Sequence, residues 1–160
     1  MSKIESLYPE LQVRCNKLIS TYRDLYHTDI RITQAFRSFE EQDALYAQGR
    51  TKEGKIVTNC MGGDSFHNYG LAFDVCFVGK DPYLDSDIDK RRKWFNLGAV
   101  GVSAGLTWGG NFRIYKDMPH FQMDLNGTIR IAELKELYKD VGLDGVWEFM
   151  NETMKMKIGE

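Results

Sequence analysis

The sequence predicts an α+β fold, a small antiparallel sheet flanked by helices. Three observations carry that expectation. Apolar residues recur at helical spacing towards both ends of the chain, and short strand-like runs lie between them. The order of the two is mixed, without the regular strand–helix–strand alternation of a parallel sheet. At 160 residues the chain is one domain, or one domain with a short appendage. A chain of that size buries roughly two-thirds of its unfolded surface and needs no disulfide staples.

The elements follow in order. Leu11, Cys15, Leu18, Ile19, Tyr22, Leu25 and Tyr26 fall at helical spacing, and Pro9 suits a first turn, so a helix is expected over 9–27. Residues 30–36 alternate apolar and polar and read as a strand. Ser38 and Glu41 form a capping box that opens a helix running to about Gln48, before Gly49. Residues 50–64 are polar and glycine-bearing and read as a long loop, a kind of segment that is often functional. A turn over 68–70 leads into a strand over 71–78, and 86–104 reads as helix, with a break considered near Gly98 and Gly101. Short strands are expected at 106–108 and 121–124, then helices at 129–140 and 143–155 parted at Gly142.

Composition excludes several classes. A net charge of -2 gives no basic footprint for nucleic acid. The one basic run, Lys90-Arg91-Arg92-Lys93, reads as a solvated helix face. Cys15, Cys60 and Cys76 are far apart and unpatterned, which suits a reducing cytoplasm better than a disulfide framework. The polar N-terminus does not read as a secretory signal, and no apolar run is long enough for membrane insertion. Synthesis in the cytoplasm is therefore expected.

Two of the three histidines sit in short acid-and-imidazole settings, Ser65-Phe-His67-Asn-Tyr-Gly70-Leu-Ala72-Phe-Asp74 and Asp117-Met-Pro-His120. His67, Asp74 and His120 make a three-ligand set for one zinc ion, with a fourth position open to water. A turn at Gly70 brings His67 and Asp74 to one point, Ala72 keeps the strand face small, and Pro119 fixes how His120 enters its strand. Asp117 is then free to act as general base and acid, its other reading being a loop-capping aspartate. Arg37, between a strand and the capped helix, can steady a developing oxyanion; its other reading is an exposed surface arginine. His27 ends a helix and reads as a cap or surface residue.

These motifs resemble the zinc peptidases related to D-alanyl-D-alanine carboxypeptidases and dipeptidases. Within them, the chain is most similar to L-alanyl-D-glutamate endopeptidases of bacteria and phage endolysins. The resemblance extends to Phe36-Arg37-Ser38 with Gln42, to Leu45–Thr51, Ile56–Asn59 and Gly62-Gly63, and to Leu106-Thr-Trp108-Gly-Gly110, covering about residues 29–124. It implies the fold shared by hedgehog domains and D,D-peptidases, with His67, Asp74 and His120 as zinc ligands. It further implies Asp117 and Arg37 as catalytic residues, and Ser65, Gln42 and Trp108 as substrate or supporting contacts. The carboxypeptidase and dipeptidase branches usually carry Glu where this chain has Asp117, which favours cleavage between L-alanine and D-glutamate of the peptidoglycan stem peptide.

An endolysin would act on the wall after release through a partner holin, and host lysis would follow. Residues 1–125 form the catalytic domain in this reading. Residues 126–160 form helices packed on it, a small wall-binding appendage being the other reading. Three rivals stand beside the endopeptidase. They are a D-alanyl-D-alanine carboxypeptidase, a zinc-binding module without catalysis, and a Cys60 nucleophile with His67 as its base.

Overall fold

In the computed structural model, residues 2–159 are described and form two compact units. One comprises the residues up to Phe36 together with Gly70–Thr128; the other comprises Arg37–Tyr69 together with the residues from Ile129.

The first unit holds helix α1 (Pro9–Tyr26), strands β1 (Ile30–Gln34) and β2 (Ala72–Phe77), helix α3 (Lys90–Ser103), and strands β3 (Thr107–Trp108) and β4 (His120–Gln122). The four strands form one sheet in the order β1-β2-β4-β3, and every neighbouring pair is antiparallel. The mixed architecture and the antiparallel sheet are those the sequence predicts. Leu11, Cys15, Leu18 and Tyr22 of α1 are buried, as the helical spacing requires. Burial pushes the Cys15 thiol up to about 12, which makes it an inert core residue. The three cysteines are free.

Helix α3 differs from expectation in two ways. It begins at Lys90 because Asp81 accepts from the amides of Asp85 and Ser86 and holds the preceding segment in turns. The basic run at its start pairs with that acidic segment: Lys90 with Asp85, Arg92 with Asp89, and Lys93 with Asp87. The helix also runs unbroken through Gly98 and Gly101. A Cβ at Gly98 would sit 2.3 Å from Cδ2 of Trp108, and one at Gly101 would sit 2.3 Å from Cε1 of Phe121. These glycines admit aromatic rings from the sheet instead of breaking the helix.

The second unit holds α2 (Phe39–Ala47) and α4 (Ile131–Ile158). Ser38 Oγ accepts from the Glu41 amide at 3.1 Å, the expected N-cap. Helix α4 is two helical stretches parted at Gly142, whose φ of 68° and ψ of -171° are not helical. The split was legible from Gly142. Phe39, Tyr69 and Tyr138 form an aromatic cluster with centroids 4.7–5.9 Å apart. Trp147 Nε1 donates to the Tyr69 carbonyl at 2.8 Å, and Lys135 pairs with Asp64 at 2.7 Å. Among the described residues, no helix is long and apolar enough to cross a membrane.

Candidate metal centre

His67 lies in a short 3-10 turn, Phe66–Tyr69, where the sequence suggested a loop. Ser65 Oγ accepts from the His67 amide at 3.2 Å, so this serine shapes the turn. Asn68 holds it from beneath. Its Oδ1 accepts from the amides of Gly63 and Ser65, and its Nδ2 donates to the Arg37 carbonyl at 2.9 Å. Tyr69 donates its hydroxyl to the Gly63 carbonyl at 2.7 Å. Burial, with help from the Asp64 charge, pushes that phenol up to about 12. Gly70 has φ of 68°, the left-handed conformation expected of it, and turns the chain into β2.

Asp74 on β2 stands directly opposite His120 on β4. His120 is the first residue of its strand rather than the residue before it. The Asp117–His120 stretch closes as a turn, with the His120 amide donating to the Asp117 carbonyl at 3.2 Å. Gly109 anchors this turn: its carbonyl accepts from the Asp117 amide at 3.0 Å, and a Cβ there would lie 2.3 Å from the Asp117 carbonyl oxygen. Asp117 itself is exposed.

His67, Asp74 and His120 each offer one ligand atom, and these atoms all lie within 4.8 Å of one another. His67 and His120 are buried, and Asp74 is partly so. Burial opposes a charge on His120. The hydrogen bond and charge of Asp74, the Asp117 charge and the Gln122 hydrogen bond outweigh it and hold the imidazole above its ordinary value. Surroundings that favour a proton favour a metal cation too. Two imidazoles and a carboxylate are also a donor set that zinc accepts. The cluster can therefore hold a metal.

Arg37 is half-buried, and its Nη1 donates to Gln42 Oε1 at 2.9 Å. Gln42 is fully buried, and its Nε2 donates to the Cys60 carbonyl at 2.9 Å and to Thr58 Oγ1 at 3.3 Å. Its amide is spent on Arg37 and on the 58–60 loop, so the geometry gives it a supporting place. Trp108 is likewise buried, with its indole N–H on the Met118 carbonyl at 2.8 Å, behind the turn that carries Asp117. Burial and the Asp64 charge push the Cys60 thiol up, contrary to what a nucleophilic thiolate requires.

Residues 59–123 match the D-alanyl-D-alanine carboxypeptidase family. The matched stretch contains His67, Asp74, Trp108, Asp117 and His120. Over 101 residues the chain is 44% identical to the peptidoglycan L-alanyl-D-glutamate endopeptidase CwlK of Bacillus subtilis. That alignment covers 59% of this chain, and the chain spans 60% of the length of the curated relative. The L-Ala D-Glu endopeptidase ChiX of Serratia marcescens has the same fold, with a TM-score of 0.52 at 17% identity over 79% of this chain and 86% of that one. The resemblance carried by the motifs is borne out.

Sequence reasoning missed Gln122 and Asp124. His120 Nε2 lies 2.8 Å from Gln122 Oε1, Gln122 Nε2 donates to Asp124 Oδ2 at 2.9 Å, and Thr107 Oγ1 donates to Asp124 Oδ1 at 2.5 Å. The signal was the alternation His120-Phe-Gln122-Met-Asp124-Leu, which puts three polar residues on one strand face.

Proposed function

We propose that this chain is a zinc-dependent peptidoglycan hydrolase that cleaves the bond between L-alanine and D-glutamate in the stem peptide. The observation that carries this reading is the clustering of His67, Asp74 and His120 within 4.8 Å, in a chain similar to an endopeptidase of that name. Those three side chains would hold one zinc ion. When bound, zinc supplies Lewis acidity and makes water acidic enough to attack near neutral pH.

The remaining chemistry belongs to the protein. Asp117 accepts a proton from the attacking water as its oxygen bonds to the L-alanyl carbonyl carbon, then returns a proton to the D-glutamate nitrogen as the C–N bond breaks. Arg37 donates to the carbonyl oxygen as negative charge develops there, its guanidinium steadied by Gln42. Ser65 and Trp108 shape the turns that present His67 and Asp117. The helices beyond residue 126 belong to the catalytic body in this reading, supported by the bonds that Lys135 and Trp147 make to Asp64 and Tyr69. Action as a phage endolysin, with release by a holin and lysis of a host, is the setting inferred from the motif resemblance.

Mass spectrometry of purified peptidoglycan digested with and without a zinc chelator tests the proposal. New D-glutamate amino termini that vanish on chelation are expected. Release of free D-alanine would replace the endopeptidase with a carboxypeptidase. Absence of any cleavage across several wall types would leave a zinc-binding module.

A further inference from the structure

The proposed zinc chemistry uses one nitrogen of His120, and the other is held by a chain of buried side chains. His120, Gln122 and Asp124 are each at most 8% exposed. All three, with Thr107, belong to the same compact unit. We propose that Gln122 is a positioning residue that reserves Nδ1 of His120 for the metal, and that Asp124 holds Gln122 in the required orientation. The proposal rests on the metal-site reading for its purpose, though not for its geometry.

The orientation is set from the far end of the chain of bonds. Asp124 as a carboxylate can only accept, and its Oδ1 already receives Thr107 Oγ1–H at 2.5 Å and the Gly127 amide at 3.1 Å. Its Oδ2 lies 2.9 Å from Gln122 Nε2, so the amide must turn its NH2 group towards Asp124. The amide oxygen then faces His120 at 2.8 Å and demands a proton on Nε2. Nδ1 faces Asp74 3.1 Å away, so with Nε2 held by Gln122 it is the nitrogen whose proton a metal shared with Asp74 would replace.

The sheet makes room for this arrangement. Ala72 is the cross-strand partner of Gln122 on β2, as Asp74 is that of His120. A methyl group opposite leaves the amide its space. Glutamine is also the residue the place requires, because an amide both accepts from His120 and donates to Asp124. Glutamate could only accept, and would set two carboxylates against each other in a buried site.

That asymmetry supplies the test. The variants are Gln122→Leu, Gln122→Glu, and Gln122→Glu combined with Asp124→Asn. In the double variant the 122–124 hydrogen bond reverses, while the amide oxygen introduced at position 124 can still accept from Thr107 and Gly127. Zinc affinity is measured by competition with a chromophoric chelator. Nitrogen-15 NMR of the imidazole follows the Nε2 proton in metal-free protein and identifies the ligating nitrogen in cadmium-loaded protein.

Wild type should show a hydrogen-bonded Nε2–H and cadmium on Nδ1. Gln122→Leu should remain folded, lose the hydrogen-bonded Nε2–H signal and weaken zinc binding by about 10–100-fold. Gln122→Glu should weaken it as well, and the double variant should recover to within a few-fold of wild type. A merely structural role would lower the melting temperature of all three without this recovery. Unchanged zinc affinity in folded Gln122→Leu, or cadmium on Nε2 in wild type, would overturn the proposal. Should wild type take up no zinc, the metal-site reading falls, and retention or loss of the Nε2–H signal in metal-free Gln122→Leu still decides the role of Gln122.

Discussion

The Asp117 side chain is exposed, while its backbone is fixed at both ends, the amide donating to the Gly109 carbonyl and the carbonyl accepting from the His120 amide. Asp117→Ala keeps those backbone bonds and should therefore still bind zinc while losing at least about 10²-fold in turnover, the scale of general acid–base catalysis. Zinc titration beside a kinetic assay checks it, and loss of metal would make Asp117 a ligand. Arg37→Ala should lower turnover by about 10²–10³, the scale of one oxyanion donor. A change in KM alone would move Arg37 to substrate binding. Tyr69 offers a test in stability. Its phenol is raised to about 12 in the folded chain against about 10 unfolded, so its contribution is complete below pH 10 and declines between pH 10 and 12. Denaturant unfolding across that range should show a shallower decline in Tyr69→Phe than in wild type.

The residues that chemistry strings together locally, such as Ser65–Asp74 and Asp117–His120, were readable because their spacing is itself the motif. Gln122 was not, although its alternation was in plain view. A strand with one polar face ordinarily turns that face to water, whereas residues 120–125 are buried throughout. Whether a polar face meets solvent depends on what covers it, and no local pattern carries that information. Gln42 shows the same limit. Its position in the capped helix was visible, but its complete burial and its bonds to Arg37 and Cys60 come from the fold.

At the scale of elements, the capped start of α2 and the glycine break in α4 were legible because capping and conformational freedom are local, whereas the start of α3, which no side chain caps, was not. Ser38 caps α2, and Gly142 parts α4. Gly98 and Gly101 left a break open because a glycine needed for close approach has the same spelling as one that ends a helix. Gly98→Ala should press on Trp108 and cost about 1–3 kcal/mol, the usual range for overpacking, measured by denaturant unfolding. Trp108 also holds the Met118 carbonyl, so the same variant should lower turnover. Helix α4 supplies Tyr138 to the aromatic cluster and Trp147 to the Tyr69 carbonyl. A chain cut after Thr128 should consequently lose zinc binding as well as activity. Retained binding by the shortened chain would make the terminal helices an appendage.

At the scale of the whole chain, a ligand that binds only the folded state stabilises it by mass action. Free zinc at a hundred times its Kd should add about 2.7 kcal/mol and raise the melting temperature by roughly 5–11 °C. Chelation should remove that increment, and an unchanged melting curve would count against a metal site built from His67, Asp74 and His120. The chain order sets one further condition. Trp147 and Tyr69 are 78 residues apart, and their hydrogen bond backs the turn that carries His67. During synthesis at about 5–20 residues per second, a nascent chain waits roughly 4–16 s between making that turn and making its support. On the ribosome the turn that carries His67 would thus stay unbacked until the helix with Trp147 is made, a delay written into the distance along the chain between two aromatic residues.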